Sequence, residues 1–178
     1  PSDPCFLQFT SGSTSDPKGV VVTHGSLIHN ARAIMFDGLQ STPETDKGVS
    51  WLPLYHDMGL IGFVLSPIVA HVACVFIQTM SFVKRPTVWM DMVSKYKGTI
   101  TFAPNFAFAL AAKYAARNNK EGFDVSRLRV VGCGAEPIHA ATLKKFSEAF
   151  APAGLSPHAI MPCYGMAEAT LAMSFDPL

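Results

Sequence analysis

Thr10-Ser11-Gly12-Ser13-Thr14-Ser15-Asp16-Pro17-Lys18-Gly19 lies between two short apolar runs, Cys5-Phe6-Leu7-Gln8-Phe9 and Val20-Val21-Val22. The pattern predicts a strand, a polar loop and a second strand. Such a loop offers backbone N–H groups, the hydroxyls of Thr10, Ser11, Ser13 and Thr14, and the Lys18 ammonium, a set suited to a polyphosphate. Gly12 and Gly19 permit backbone angles, or a close ligand approach, that a side chain would obstruct. An ordinary polar hairpin loop fits the same residues. A Walker A loop does not: counting from Gly12, its second glycine falls on Pro17, and Gly19 stands where the hydroxyl after the lysine belongs.

Outward from this loop, apolar runs alternate with segments of helical period. Thr23 is a candidate N-cap for a helix over about 24–36, with Leu27, Ile28, Ala31, Ile34 and Met35 at helical spacing. Val49–Leu52 reads as a strand stopped by Pro53. Met58–Ile77 contains no Asp, Glu, Lys or Arg, but Gly59, Gly62, Pro67 and His71 interrupt it, so it reads as a buried helix (about 58–70) and a buried strand (72–77) rather than a membrane span. Pro86 and Pro104 are each placed to open a helix. Residues 98–102, 128–131 and 158–163 read as strands, and 140–150 as a helix with Leu143, Phe146 and Phe150 inward. Strands alternating with helices of about a dozen residues predict an α/β fold, a layered and largely parallel sheet flanked by helices. Ligands of such sheets bind beyond the carboxyl ends of the strands.

The bulk numbers exclude several classes. A net charge of +1 with no Lys/Arg run argues against nucleic acid. The four cysteines (Cys5, Cys74, Cys133, Cys163) have no C-x-x-C spacing and sit mostly in apolar runs. They predict reduced, buried thiols, no zinc site and a cytoplasmic location. Charged residues are 15% of the 178, against about 25% in ordinary soluble domains, the composition of a core within a larger body.

Three further stretches carry polar groups in apolar settings. Tyr164-Gly165-Met166-Ala167-Glu168 combines an aromatic for stacking, a glycine for close approach and a carboxylate able to hold Mg²⁺ beside phosphate oxygens. A surface tyrosine with a solvated glutamate is the plain alternative. His56 and Asp57 sit at a strand-to-helix turn, either as an Asp57 helix cap with a hydrogen-bonded histidine or with His56 at the mouth of a pocket lined by the following helix. Gly132-Cys133-Gly134-Ala135-Glu136-Pro137 joins a strand to a helix, and its glycines allow backbone to meet a flat ligand edge. Asn105, at a helix start after a strand, faces the same pocket or makes a local hydrogen bond.

Together these motifs resemble the adenylate-forming superfamily of acyl-CoA ligases, peptide-synthetase adenylation domains and luciferases. The family loop [ST]-S-G-[ST]-T-G-x-P-K-G is matched at every position but Ser15, where Gly is usual. The family Y-G-x-T-E motif appears with Ala167 in place of Thr, so one α-phosphate contact is missing. The strings Tyr164–Leu171 (YGMAEATL) and Leu52–Gly62 (LPLYHDMGLIG) resemble the fatty acyl-AMP ligase branch. The resemblance covers nearly the whole chain, as the central part of the large N-terminal domain of such an enzyme. It implies a partial AMP-binding domain over 1–178, with the ribose-binding Asp, the hinge and the small C-terminal domain with its catalytic Lys beyond Leu178.

The resemblance further implies ATP and Mg²⁺ as cofactors, and a fatty acid as substrate. Phosphates would meet Thr10, Ser11, Gly12, Ser13, Thr14, Lys18 and Gly19. Adenine would lie against Tyr164 and along Gly134, Ala135 and Glu136, with Gly165, Met166 and Ala167 as further nucleotide-binding positions. Glu168 would hold the metal, His56, Asp57 and Asn105 would meet the acyl substrate, and Lys18, Glu168 and His56 would carry the chemistry. The acyl group would pass to an acyl carrier protein, or alternatively to CoA. A non-catalytic nucleotide- or acyl-binding module is the rival from another class, supported by Ser15 and Ala167.

Overall fold

The computed structural model describes residues 1–10, 18–118 and 121–175. Strands β1 (Pro4–Phe9) and β2 (Gly19–Thr23) form an antiparallel hairpin with Phe9 opposite Gly19. Thr23 then caps helix α1 (His24–Arg32). Its Oγ1 accepts from the Ser26 N–H at 3.1 Å, and Ser26 Oγ accepts from the Thr23 N–H at 3.1 Å. This capping box satisfies amides that the first helical turn leaves unpaired. The helix continues in π form over Ala33–Gly38.

Among the described residues the main sheet has six strands: β3 (Lys47–Ser50), β4 (Ala73–Phe76), β5 (Ile100–Ala103), β6 (Val130–Cys133), β7 (Ile160–Gly165) and β8 (Ala172–Phe175). Their order is β4-β3-β5-β6-β7-β8, parallel except for β8, which runs antiparallel to β7. Between them lie α2 (Asp57–Leu60), a π segment (Ile61–Leu65) and α3 (Ser66–Ala70), then α4 (Thr79–Lys84), α5 (Val88–Tyr96), α6 (Asn105–Lys113) and α7 (Ala140–Phe150). The predicted α/β class with a mostly parallel sheet holds. No helix among the described residues is long and apolar enough to cross a membrane.

Several local readings need correction. The strand over 72–77 is not buried: among the described residues β4 has β3 as its only ladder partner, and Ala73 and Phe76 are exposed. Pro86 does not occupy a first helical position, since α5 starts at Val88 after Thr87, whereas Pro104 does open α6 as its N-cap. Helix α4 and strand β8 carry too few residues to show a period. The thiols are not uniformly buried either. Cys5 is exposed, whereas burial pushes Cys74 up to about 11 and Cys133 and Cys163 up to about 12.

The core is built on Trp89, fully buried, with its ring against Trp51, Phe82, Phe108 and Phe146 at centroid distances of 6.3, 6.2, 5.6 and 6.0 Å. Trp89 Nε1 donates to Thr101 Oγ1 at 2.8 Å, and Thr101 in turn donates to the Val49 carbonyl at 2.7 Å. The indole's one polar atom is thus satisfied, and the chain of bonds ties α5 to β5 and β3.

Candidate functional site

A cavity of about 1070 Å³ opens beside the hairpin and extends over one face of the sheet. Its floor includes Ile100 and Phe102, two apart on β5 and therefore on the same sheet face. Met35 and Phe63, from the two π segments, also line it. These four side chains are all at least nine-tenths buried. At the other end lie Thr10, Lys18, His56, Tyr164 and Glu168, mostly exposed. The space therefore has a polar mouth at the carboxyl ends of β3 and β7 and an apolar interior, the general form of a ligand site.

Thr10 and Lys18 close the neck of the hairpin loop. Thr10 N–H donates to the Lys18 carbonyl at 2.9 Å, and Lys18 N–H donates to Thr10 Oγ1 at 3.1 Å. This leaves the Lys18 side chain on the cavity wall. Ser11, Gly12, Ser13 and Thr14 lie outside the described residues, and so does Ser15. Gly19 is described, pairs with Phe9 in the hairpin, and does not line the cavity.

His56, not Asp57, is the N-cap of α2; Asp57 is the first residue of the helix, and the two side chains are within hydrogen-bond distance of each other. His56 Nδ1 lies 3.2 Å from the Met58 N–H and 2.7 Å from Asp57 Oδ1, while the Met58 N–H also donates to Asp57 Oδ1 at 2.6 Å. A neutral imidazole accepts from Met58 through Nδ1. A protonated one donates to Asp57, and the Met58 amide keeps the carboxylate as acceptor. The hydrogen bond to Asp57, and then its charge, raise the His56 pKa above its ordinary value against the opposing effect of burial. His56 and Asp57 both line the cavity.

Tyr164 and Gly165 end β7, and a turn follows that presents Glu168. Met166 N–H donates to the Leu171 carbonyl at 2.9 Å, and Thr170 N–H to the Ala167 carbonyl at 2.9 Å. Thr170 holds φ 73°, a costly conformation for a β-branched residue. Tyr164, Gly165, Ala167 and Glu168 line the cavity; Met166 does not, and its Sδ accepts from the Tyr164 hydroxyl at 3.7 Å.

The 134–139 connection is held differently from the glycine argument. A Cβ on Gly134 would come within 2.7 Å of Cys163 Sγ, so glycine is needed there for strand packing. It is Ala135 that takes the left-handed conformation, at φ 67°, and Ala135 lines the cavity. Glu136 Oε1 accepts from the Phe106 N–H at 2.6 Å, and Asn105 Oδ1 accepts from the His139 N–H at 3.0 Å. This reciprocal pair fixes the connection to the start of α6, where a carboxylate also suits the helix dipole. Neither Glu136, Asn105 nor Gly134 lines the cavity.

Sequence reasoning passed over Gln8. Only 6% exposed, it donates from Nε2 to the Tyr55 carbonyl at 3.2 Å and joins the hairpin to the segment before His56. A buried polar residue inside an apolar strand is the signal that could have found it. The apolar wall of Met35, Phe63 and Phe102 left no comparable mark, since these residues read only as core.

The family model described as AMP-binding enzyme matches residues 1–178. The chain is 48% identical over 178 residues to a provisionally named acyl-CoA synthetase of Caulobacter vibrioides, covering 100% of this chain and 31% of that protein. It is 41% identical to the medium-chain-fatty-acid–[acyl-carrier-protein] ligase TtuA of Teredinibacter turnerae, covering 98% of this chain and 27% of TtuA. A crystal structure of a fatty acyl-adenylate ligase from Legionella pneumophila, in complex with acyl adenylate and pyrophosphate, superposes with a TM-score of 0.92 at 40% identity, covering 98% of this chain and 31% of that one. The chain thus spans less than a third of the length of the relatives it matches.

Proposed function

This chain belongs to the AMP-binding enzyme family, and from that premise we propose that the protein carrying it condenses a fatty acid with ATP to acyl-adenylate and pyrophosphate. The observation that carries this reading is a continuous cavity whose mouth holds Lys18, Tyr164 and Glu168 and whose interior is apolar. A nucleotide at the mouth and an acyl chain inside would occupy one continuous space.

The fatty acid carboxylate is ionised near neutral pH and needs no general base. One of its oxygens attacks the α-phosphorus, the bond from that phosphorus to the bridging oxygen breaks, and pyrophosphate leaves with the electron pair. The Lys18 ammonium and the Thr10 hydroxyl, both on the cavity wall, would meet the departing phosphates. His56, on the cavity wall and paired with Asp57, would meet the carboxylate. Tyr164 offers a face to the adenine. Charge relief of this kind, rather than proton transfer, is what the step demands.

No cluster of three His, Cys, Asp or Glu side chains among the described residues could hold a metal by itself. One exposed carboxylate at the mouth, Glu168, fits Mg²⁺, which is commonly held by one or two carboxylates and by substrate phosphates. Bound there, Mg²⁺ would supply further charge neutralisation. The acyl acceptor in our reading is the thiol of an acyl carrier protein, supported by the two branch-flavoured motifs and by likeness to TtuA. The name of the Caulobacter relative favours CoA as the second reading. Four free thiols favour a cytoplasmic setting.

The test is the full-length protein with Mg-ATP, dodecanoate and CoA, followed by mass spectrometry. Acyl-AMP without acyl-CoA is the expected result. Abundant acyl-CoA would move the assignment to the CoA ligases. Neither product, across several chain lengths with folded protein, would leave a nucleotide- or acyl-binding module.

A further inference from the structure

Among the described residues, three glycines line the cavity, on β3, β7 and the π segment after α2, and they are not alike. A Cβ on Gly48 would come within 2.6 Å of Cys74 Sγ, and one on Gly165 within 2.0 Å of the Leu171 carbonyl oxygen. Packing of the protein against itself demands glycine at both. At Gly62 a Cβ would meet only Leu171 Cδ2, at 3.5 Å, an ordinary contact. Its φ is outside the left-handed region, so the backbone does not demand glycine either. Within a helical segment, glycine is disfavoured relative to alanine. The fold therefore does not require Gly62, and the space beside it belongs to the cavity.

The position of Gly62 gives that space a use. Its contact partner Leu171 accepts from the Met166 N–H and so closes the turn that presents Glu168 at the mouth. Its neighbour Phe63 is 3% exposed and belongs to the apolar interior. The Gly62–Leu171 pair stands where mouth meets interior, on a π segment, a helical irregularity frequent at functional sites. We propose that Gly62 is a specificity-determining residue: its missing side chain sets the clearance through which an acyl chain passes from the reacting carboxylate into the interior. The inference rests on the acyl-activating reading above.

The experiment uses the full-length protein with Mg-ATP and a series of acids from butanoate to hexadecanoate, with acyl-AMP quantified by mass spectrometry. In Gly62→Leu the ratio of hexadecanoate to butanoate activation falls by about tenfold or more, the scale at which a pocket rejects surplus bulk. Gly62→Ala shifts the ratio in the same direction by less. A folded Gly62→Leu protein with the wild-type ratio overturns the proposal. If Gly62→Leu does not fold, Gly62→Ala decides by the same criterion. Wild-type protein that makes no acyl-AMP from any acid overturns the acyl-activating reading and this inference with it. Wild-type activity with an unchanged ratio in the variants overturns this inference alone.

Discussion

Arg129 holds Asp46 through two parallel hydrogen bonds, Nε to Oδ1 at 2.8 Å and Nη2 to Oδ2 at 2.7 Å. The carboxylate also accepts from Thr99 Oγ1 at 2.8 Å and from the Thr42 N–H at 2.9 Å. One buried side chain thereby joins the segments entering β3, β5 and β6, 83 residues apart at the extremes. Arg129→Met leaves this carboxylate without its cation. The expected loss is about 2–3 kcal/mol, below the range for a fully buried pair because Arg129 is 39% exposed. Urea unfolding at neutral pH measures it.

The same site sets a dependence on pH. Burial pushes the Asp46 pKa up, but Arg129, the Thr42 amide and Thr99 together outweigh it and hold the group below its ordinary value. The contribution to stability is therefore fully present above about pH 3.9, the unfolded value, and is lost as pH falls through the lower folded value. Asp46→Asn flattens the stability curve over that acid window. An unchanged acid limb in the variant would show that other carboxylates govern it.

His56 titrates in the opposite sense. Its folded pKa is raised, so the stability that its pairing supplies is present below about pH 6.5 and disappears as pH rises through the folded value. Asp57→Asn removes the hydrogen bond and the charge that raise it. NMR titration of the His56 ring should show its pKa lower in the variant than in wild type.

Gln8→Leu removes the bond between the hairpin and the Tyr55 carbonyl. A loss of about 1 kcal/mol is expected from one such hydrogen bond. Adenylate formation should fall by a larger factor than stability alone explains, because His56 follows Tyr55 directly. Normal activity with reduced stability would restrict Gln8 to a structural role.

Lys18→Ala and Glu168→Gln test the chemistry at the mouth. Each should lower acyl-adenylate formation by about 100-fold or more with little change in melting temperature, since both side chains are exposed. A pure acyl-binding module would retain its ligand affinity in both variants.

The hairpin, the Thr23 cap, helix α7 and the alternation behind the parallel sheet were legible along the chain, because each is written in neighbouring residues: apolar period, a capping hydroxyl, a turn. The Tyr164–Glu168 stretch stood out for the same reason, and four of its five residues line the cavity. Sequence alone carries such local patterns of 2.0 and 3.6 residues. What only the tertiary structure decided depends on residues far apart. Asp46 finds Arg129 across 83 positions, Asn105 finds His139 across 34, and Gln8 finds Tyr55 across 47. The edge position of β4 and the need for glycine at Gly134 follow from which strands lie beside them. The division of apolar residues into packed core and cavity wall has the same origin: Trp89 and Phe63 are equally hydrophobic in sequence terms, and only the placement of their neighbours leaves space beside one of them.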